Sequence, residues 1–328
     1  MSNPALAAKD FANENEVRWC PGCGDYSILK QLQMTLAKTG SIPHKTAIIS
    51  GIGCSSRLPY YMKTYGFHTI HGRSFPIATG LKLVNPELEV WIVTGDGDSL
   101  SIGTNHFVHL FRKNIDVNIL LFNNRIYGLT KGQYSPTSEI GQKSKSTPFG
   151  VKERNLNALE LALASQATFV ARTLDREASH MQFVFSAAKA HAGSSLVEIL
   201  QNCPIFNDAI FENYTNKQSQ PEHVLFLEEG KPLLFGKEQE KAVVIENFEP
   251  KIVDVNEITD SNVWIHDPAN RQKAILLSQF GYHEYSHFPL AIGVIHNAIS
   301  FEKKSEIKPQ TQYYKAPEVI FKNIFEII

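Results

Sequence analysis

A glycine-framed acidic motif and a pair of asparagines carry the clearest chemistry in this sequence. GDGDS begins at Gly95, and NN follows at 123–124, about 25 residues later. Asp96 offers a carboxylate oxygen, Asn124 an amide oxygen, and Ile126 a backbone carbonyl on the same turn. Oxygen donors of this kind, completed by phosphate oxygens, suit Mg²⁺. The spacing therefore predicts a magnesium–diphosphate site, and a capped helix with a structural aspartate is the alternative.

The four cysteines are the second chemical signal. Cys20 and Cys23 lie in one Pro/Gly turn, WCPGCG, whereas Cys54 and Cys203 are single and distant. A CxxC pair alone fits half of a zinc site or a redox dithiol, and zinc usually needs a second close pair. Two ligands from one turn plus two single ones, the last followed by proline, fit a [4Fe–4S] cluster better. Zinc binding and simple packing of buried thiols stay open as alternatives.

Helix and strand patterns alternate up to about residue 200 and predict how these motifs are positioned. Asp25 can cap the first helix, which should stop at Gly40. Strands that are nearly all apolar predict an α/β fold, in which a parallel sheet is covered by helices on both faces. GIGCSS, GDGDS, NNRIYG and QNCP each follow a predicted strand. We therefore expect these loops to meet at the carboxyl edge of the sheet, where such folds bind ligands.

The chain changes character beyond about residue 205. Residues 206–328 are mixed and lower in helical signal, with short strand-like runs such as LLFG and AVVIE. We expect one α/β domain at 1–205, which contains the iron–sulfur site, and an irregular C-terminal extension at 206–328 that contacts another subunit.

GDG followed by NN resembles the thiamine-diphosphate motif of transketolase-like and pyruvate-decarboxylase-like enzymes. The resemblance implies that Mg²⁺ is held by Asp96, Asn124 and the carbonyl of Ile126. It also implies that the diphosphate is lined by Gly97, Asp98, Gly128 and Leu129.

The resemblance becomes more specific when six motifs between residues 17 and 205 are taken together: WCPGCG, SGIGCSSR, HTIHGR, GDGD, NNRIYGLTKGQYSPTS and NCP. This set is similar to the β subunits of 2-oxoacid:ferredoxin oxidoreductases. The similarity implies a thiamine-diphosphate-binding fold and a [4Fe–4S] cluster held by Cys20, Cys23, Cys54 and Cys203. The residues that approach the cofactor would be Ile52, Gly53, Cys54, Ser55, His71, Gly72 and Arg73. His71 would contact the cofactor or the substrate during catalysis.

By the same resemblance, the chain takes part in the oxidative decarboxylation of a 2-oxoacid. Coenzyme A would accept the acyl group, and electrons would pass singly through the cluster to ferredoxin. The carboxylate that activates the aminopyrimidine of the cofactor normally comes from a second, similar domain, which implies an α subunit as partner. Arg57 could meet a distal carboxylate bidentately, which favours 2-oxoglutarate over pyruvate. Pairing of Arg57 with a structural acid is the alternative.

Three rival functions remain at this point. A non-oxidative thiamine-dependent decarboxylase or carboligase subunit would need no cluster. A zinc-binding interaction module would hold zinc at the CxxC pair and would not bind thiamine diphosphate. The third rival, within the family, is a pyruvate or branched-chain 2-oxoacid enzyme.

Composition limits the partners of the chain. A formal net charge of −1 and 43% hydrophobic residues describe an ordinary globular protein, without the bulk field that attracts nucleic acid or anionic membrane. No stretch approaches the roughly 18 apolar residues that span a bilayer, and the first residues lack a signal-peptide pattern, so we expect a cytoplasmic protein. A small basic patch is either solvated surface or a dock for an acidic electron carrier; it comprises Lys143, Lys145, Lys152 and Arg154.

Overall fold

The computed structural model describes residues 6–247, 249–259 and 261–298. Its strands are β1 (Thr46–Ser50), β2 (Tyr65–His68), β3 (Glu89–Gly95), β4 (Asn118–Asn123), β5 (Phe169–Leu174), β6 (Ser195–Leu200), β7 (Val224–Phe226), β8 (Leu234–Phe235), β9 (Lys241–Glu246), β10 (Glu249–Asp254) and β11 (Leu290–Asn297). Eight of them form one sheet in the order β2-β1-β3-β4-β6-β5-β11-β7, and β10-β9-β8 form a small second sheet. The pairs from β2 to β5 are parallel, as the sequence predicts.

The α-helices are α1 (Asp25–Lys38), α2 (Ser74–Val84), α3 (Asp96–Leu100), α4 (Thr104–Lys113), α5 (Ala158–Ala164), α6 (Ala178–Ala190), α7 (Glu212–Thr215), α8 (Gln220–His223) and α9 (Arg271–Gln279). Helices α1 and α6 pack on one face of the large sheet, and α2, α4, α5 and α9 pack on the other. Strands β1, β4, β5 and β6 are buried along their whole length because both faces are covered. The predicted fold class is confirmed.

The C-terminal extension is more regular than the sequence indicates. Strand β11 pairs antiparallel with β5, and β7 pairs parallel with β11, so both strands extend the main sheet. The runs LLFG and AVVIE contain β8 and β9, as expected. Strand β11 joins the sheet by pairing with β5, a strand far away in the sequence, so the local sequence pattern did not predict its place there. Residues 299–328 of the expected extension lie outside the described residues, and the division at 205 stays a prediction.

The four motif loops meet at one edge of the sheet, as predicted. Strands β1, β3, β4 and β6 are consecutive neighbours, and their last residues are in close register: Ser50 pairs with Val93, and Asn123 pairs with Leu200. The loops that follow them therefore leave the sheet side by side. Among the described residues, the helices are all too short or too polar to cross a bilayer.

Candidate functional site

A cavity of about 100 Å³ lies at this edge and brings most of the predicted cofactor-binding residues together. Of the residues predicted to bind the cofactor or magnesium, the cavity is lined by Ile52, Gly53, Cys54, Ser55, His71, Asp96, Gly97, Asp98, Asn124, Ile126, Gly128 and Leu129. We call it the diphosphate cavity. Gly72 and Arg73 do not line it: Gly72 is buried beside it, and Arg73 is exposed at the start of α2.

Asp96 is held in place behind the cavity by two hydroxyl groups. Its carboxylate is only 2% exposed, and Oδ2 lies 2.5 Å from Ser135 Oγ and 2.6 Å from Thr137 Oγ1. Burial raises the pKa of Asp96 because the ionised form lacks solvent, and the hydrogen bonds from Ser135 and Thr137 oppose that rise. A cation beside this carboxylate would compensate for the lost hydration.

The turn that contains Asn124 and Ile126 is fixed from two sides. Asn124 Nδ2 donates to Gln201 Oε1 at 2.9 Å, and Asn124 Oδ1 accepts from the backbone N–H of Ile126 at 3.2 Å. Asn207 Nδ2 donates to the carbonyl of Asn124 at 2.8 Å. Asp96, Asn124 and Ile126 thus line one cavity, as their spacing suggests. Their role as magnesium ligands stays a prediction.

Asp98 ties three loops together. Its Oδ1 accepts from the backbone N–H of Ile52 at 3.1 Å, from that of Gly72 at 2.8 Å, and from His71 Nδ1 at 2.7 Å. Its Oδ2 accepts from Thr94 Oγ1 at 2.7 Å. Because Nδ1 of His71 donates to this carboxylate, the neutral ring keeps a lone pair on Nε2. Asp98 therefore shapes the cavity wall and sets the tautomer of His71. The resemblance implies only that Asp98 lines the diphosphate, so these contacts are an additional role.

The absence of a side chain at Gly97 leaves room for the ring of Tyr127. A Cβ atom at this position would lie 2.2 Å from Cε1 of Tyr127, whose hydroxyl donates to the carbonyl of Gly97 at 2.9 Å. Tyr127 also lines the diphosphate cavity. The sequence reading missed Tyr127, although it lies in the NNRIYG motif.

The four cysteines line a second cavity of about 210 Å³, which we call the cysteine cavity. All four are free of disulfide bonds. A Cβ atom at Gly128 would lie 3.5 Å from Cys203 Sγ and 3.8 Å from Cys54 Sγ, so both sulfurs face the same space. Trp19 Nε1 donates to the carbonyl of Cys54 at 2.7 Å and joins the CxxC segment to the second loop. The distant single cysteines are thus brought to the CxxC turn.

Three of the four thiols of this cavity are poorly solvated, whereas Cys20 is exposed. Burial raises the pKa of Cys23 and Cys203, and it raises the pKa of Cys54 to about 12. Backbone N–H groups of Phe206, Ile205 and Asn207 point at the sulfur of Cys203 and oppose the rise there. No group of three or more His, Cys, Asp or Glu side chains in the described ranges surrounds the position of a single ion. The four cysteines line one cavity, and their role as cluster ligands stays a prediction.

Comparisons with known proteins identify the family. Residues 51–199 match the family model of the thiamine pyrophosphate enzyme, C-terminal TPP binding domain. The 2-oxoglutarate oxidoreductase subunit KorB of Mycobacterium tuberculosis is 52% identical over 259 residues, which are 79% of this chain and 69% of KorB. This chain belongs to the 2-oxoacid:ferredoxin oxidoreductase β-subunit family. The predicted family is confirmed.

Further similarities agree with this membership. The β subunit of 2-oxoacid:ferredoxin oxidoreductase 1 of Aeropyrum pernix is 48% identical over 58% of this chain, and the match spans 60% of that subunit, which is less than two thirds of its length. A solved structure of 2-oxoglutarate:ferredoxin oxidoreductase from Magnetococcus marinus, with 2-oxoglutarate, coenzyme A and succinyl-CoA bound, superposes with a TM-score of 0.75. It shares 30% identity and covers 97% of this chain and 95% of its own.

Arg57 lies beside the cysteines and does not line the diphosphate cavity. Its Nη1 donates to the carbonyl of Arg18 at 2.6 Å, and its side chain borders the cysteine cavity. Arg57 also lines a third cavity of about 640 Å³, which shares Ile52, Gly53 and Leu129 with the diphosphate cavity. The role of Arg57 stays a prediction.

Asp25 is a site residue that the sequence reading placed wrongly. Gly24 is the N-cap of α1, and Asp25 is its first residue, so the expected side-chain cap is absent. The carboxyl group of Asp25 is 1% exposed and lines the diphosphate cavity. Burial and the nearby charge of Asp175 raise the pKa of Asp25 to about 7, and a hydrogen bond with the side chain of Cys23 opposes that rise. Asp25 therefore lies between the cysteine turn and the diphosphate cavity.

Proposed function

We propose that this chain is the β subunit of a 2-oxoglutarate:ferredoxin oxidoreductase. The enzyme would convert 2-oxoglutarate and coenzyme A to the acyl-CoA and CO₂, with two electrons passed singly to ferredoxin. One observation carries the proposal: the diphosphate cavity and the cysteine cavity share a wall. Residues that line both are Cys54, Asn124, Gly128, Leu129 and Gln201.

The diphosphate cavity fits magnesium and thiamine diphosphate. Bound thiamine diphosphate supplies the carbon that attacks the 2-oxo group and the ring that accepts the electrons of decarboxylation. On the protein side, Asp96, Asn124 and the Ile126 carbonyl would hold Mg²⁺, since a buried carboxylate with an amide and a carbonyl is a suitable oxygen set. The buried carboxyl group of Asp25 also lines this cavity and would face the cofactor. His71 would accept a proton or a hydrogen bond at Nε2, because Asp98 holds its Nδ1.

The cysteine cavity fits a [4Fe–4S] cluster. Cys20, Cys23, Cys54 and Cys203 are four thiols around one space, and four cysteine thiolates are the usual ligand set of such a cluster. The N–H groups of residues 205–207 would stabilise the thiolate of Cys203. A one-electron carrier next to the cofactor distinguishes this proposal from a non-oxidative decarboxylase or carboligase, which has no use for a cluster.

The proposal includes partners that supply what this chain lacks. The described residues contain one thiamine-type sheet, so an α subunit would contribute the carboxylate for the aminopyrimidine ring. Ferredoxin would receive the electrons, and a 2-oxoacid and coenzyme A would be the substrates. The KorB relative is named for 2-oxoglutarate, and the Magnetococcus structure holds 2-oxoglutarate and coenzyme A. Both favour 2-oxoglutarate over the pyruvate and branched-chain alternatives.

An anaerobic assay of the purified αβ complex tests the proposal. The complex should reduce viologen or ferredoxin when given 2-oxoglutarate and coenzyme A, and it should do so poorly with pyruvate. Iron and acid-labile sulfide should each be present at four or more per αβ unit, as a [4Fe–4S] cluster requires about four of each. Release of CO₂ without electron transfer, from protein free of iron, would instead support the non-oxidative alternative.

A further inference from the structure

The side chain of Gln201 lies between the two cavities and contacts a residue of each. Gln201 follows β6, is 1% exposed, and lines both the diphosphate and the cysteine cavity. Its Nε2 donates to Cys23 Sγ at 3.3 Å and to the carbonyl of Asn202, and its Oε1 accepts from Asn124 Nδ2 at 2.9 Å. The side-chain amide of Gln201 therefore forms hydrogen bonds through both its nitrogen and its oxygen.

The backbone leaves this amide little freedom. Leu200 pairs with Asn123 in the register of β4 and β6, and the N–H of Gln201 donates to the carbonyl of Asn123 at 2.9 Å. Gln201 and Asn124 therefore leave adjacent strands side by side. On the other flank, a Cβ atom at Gly24 would lie 2.9 Å from Cγ of Gln201. The glycine after Cys23 thus makes room for the glutamine side chain.

We propose that Gln201 is a positioning residue that serves the magnesium site and the iron–sulfur site at once. By accepting from Asn124 Nδ2, it fixes which end of the Asn124 amide is left for the cation. By donating to Cys23 Sγ, it stabilises negative charge on that sulfur. This inference rests on the proposed function, because it needs magnesium at Asn124 and a cluster at Cys23.

The two contacts predict two separate effects. Hydrogen bonds to the sulfur ligands help to set the reduction potential of an iron–sulfur cluster, and their loss makes the cluster harder to reduce. Hydrogen bonds that orient a metal ligand typically change metal affinity by about 10- to 100-fold when removed. A merely structural glutamine would change neither quantity, provided that the protein folds.

Two substitutions separate the effects, and a third serves as a control. Gln201→Glu keeps an acceptor for Asn124 but removes both N–H donors, whereas Gln201→Leu removes the acceptor and the donors. Gln31→Leu is the matched control, because Gln31 is also buried but pairs with Gln182 on the packed side of α1, away from both cavities. All three would be made in the αβ complex and purified anaerobically.

Two measurements would be made on each variant: the cluster potential, by redox titration followed by electron paramagnetic resonance, and the affinity for Mg²⁺–thiamine diphosphate, by calorimetry. Gln201→Glu should make the potential more negative while the affinity is retained. Gln201→Leu, which adds no charge, should also make the potential more negative and should lower the affinity by about 10-fold or more. Gln31→Leu should match the wild type in both.

The inference is overturned if Gln201→Leu has the potential and the affinity of the control. If it does not fold, Gln201→Glu decides alone, and an unchanged potential overturns the role at Cys23. A wild-type complex that binds neither cluster nor Mg²⁺–thiamine diphosphate refutes the proposed function itself. If the wild type binds both the cluster and Mg²⁺–thiamine diphosphate, and the Gln201 variants match it in potential and affinity, only the role of Gln201 is refuted.

Discussion

The diphosphate cavity and the cysteine cavity share a wall but are built in different ways. In the first, hydrogen bonds from the protein hold two aspartates: Asp98 accepts from four donors, and Asp96 accepts from two hydroxyls. In the second, four thiols face a common space, and burial disfavours the thiolate form of Cys23, Cys54 and Cys203. The carboxylates of Asp96 and Asp98 are therefore held in place by the protein itself. In the second cavity, we expect the thiols to become thiolates only when iron binds them.

This difference makes the two cavities separable by mutation. Loss of a cysteine thiol should remove the cluster and leave cofactor binding, because the hydrogen bonds of Asp96 and Asp98 do not involve the thiols. A change at Asp96 or Asp98 should weaken cofactor binding and leave the iron content. Three substitutions test this separation and a fourth tests substrate recognition, in order of decreasing expected effect.

Cys203→Ser should abolish electron transfer to ferredoxin, because the cluster loses one of four ligands and the N–H groups of residues 205–207 lose their thiolate. Iron and sulfide analysis should show loss of the cluster, while calorimetry should show that Mg²⁺–thiamine diphosphate still binds. Full iron content with normal turnover would mean that Cys203 is not a ligand.

Asp96→Asn should lower the affinity for Mg²⁺–thiamine diphosphate by on the order of 100-fold or more, since outer hydrogen-bond partners alone account for about 10- to 100-fold. Turnover should fall with it, and the iron content should not change. Asp267→Asn, at an exposed position in the extension, is the control. Normal cofactor affinity in Asp96→Asn would remove the magnesium assignment.

Asp98→Asn should weaken cofactor binding by about 10-fold, because it disrupts the orientation of His71 and of the loops at Ile52 and Gly72. It should also lower the free energy of unfolding by about 1–3 kcal/mol, the usual cost of leaving a buried donor unpaired. Chemical denaturation and calorimetry measure the two effects. A loss of cluster without a loss of cofactor affinity would contradict the separation of the cavities.

Arg57→Ala should raise KM for 2-oxoglutarate by about 10-fold, as expected for one charge-assisted hydrogen bond, with a much smaller change for pyruvate. Steady-state kinetics with both substrates measure this. Arg154→Ala, at a residue that lines none of the three cavities described above, should leave both KM values unchanged. Equal effects of Arg57→Ala on the two substrates would remove Arg57 from substrate recognition.

The sequence predicts which loops meet, but not how they are tied together. Buried apolar strands alternating with helices fix the carboxyl edge, so GDGDS, NN and the cysteines could be placed side by side from local patterns. The roles of Asp98, Tyr127 and Gln201 depend on contacts between residues 26 to 178 positions apart, which no local pattern encodes. Asp25 fits the helix-cap pattern, yet tertiary packing turns its side chain into the cavity.

The central claim is that this chain itself holds both the cluster and the cofactor, in two cavities that share a wall. Anomalous X-ray diffraction at the iron edge, on crystals of the αβ complex grown anaerobically with Mg²⁺ and thiamine diphosphate, tests it directly. We predict an iron peak enclosed by Cys20, Cys23, Cys54 and Cys203, with the diphosphate density beside Asp96 and Asn124. Iron found only in the α subunit, with no peak among these four sulfurs, would contradict the account.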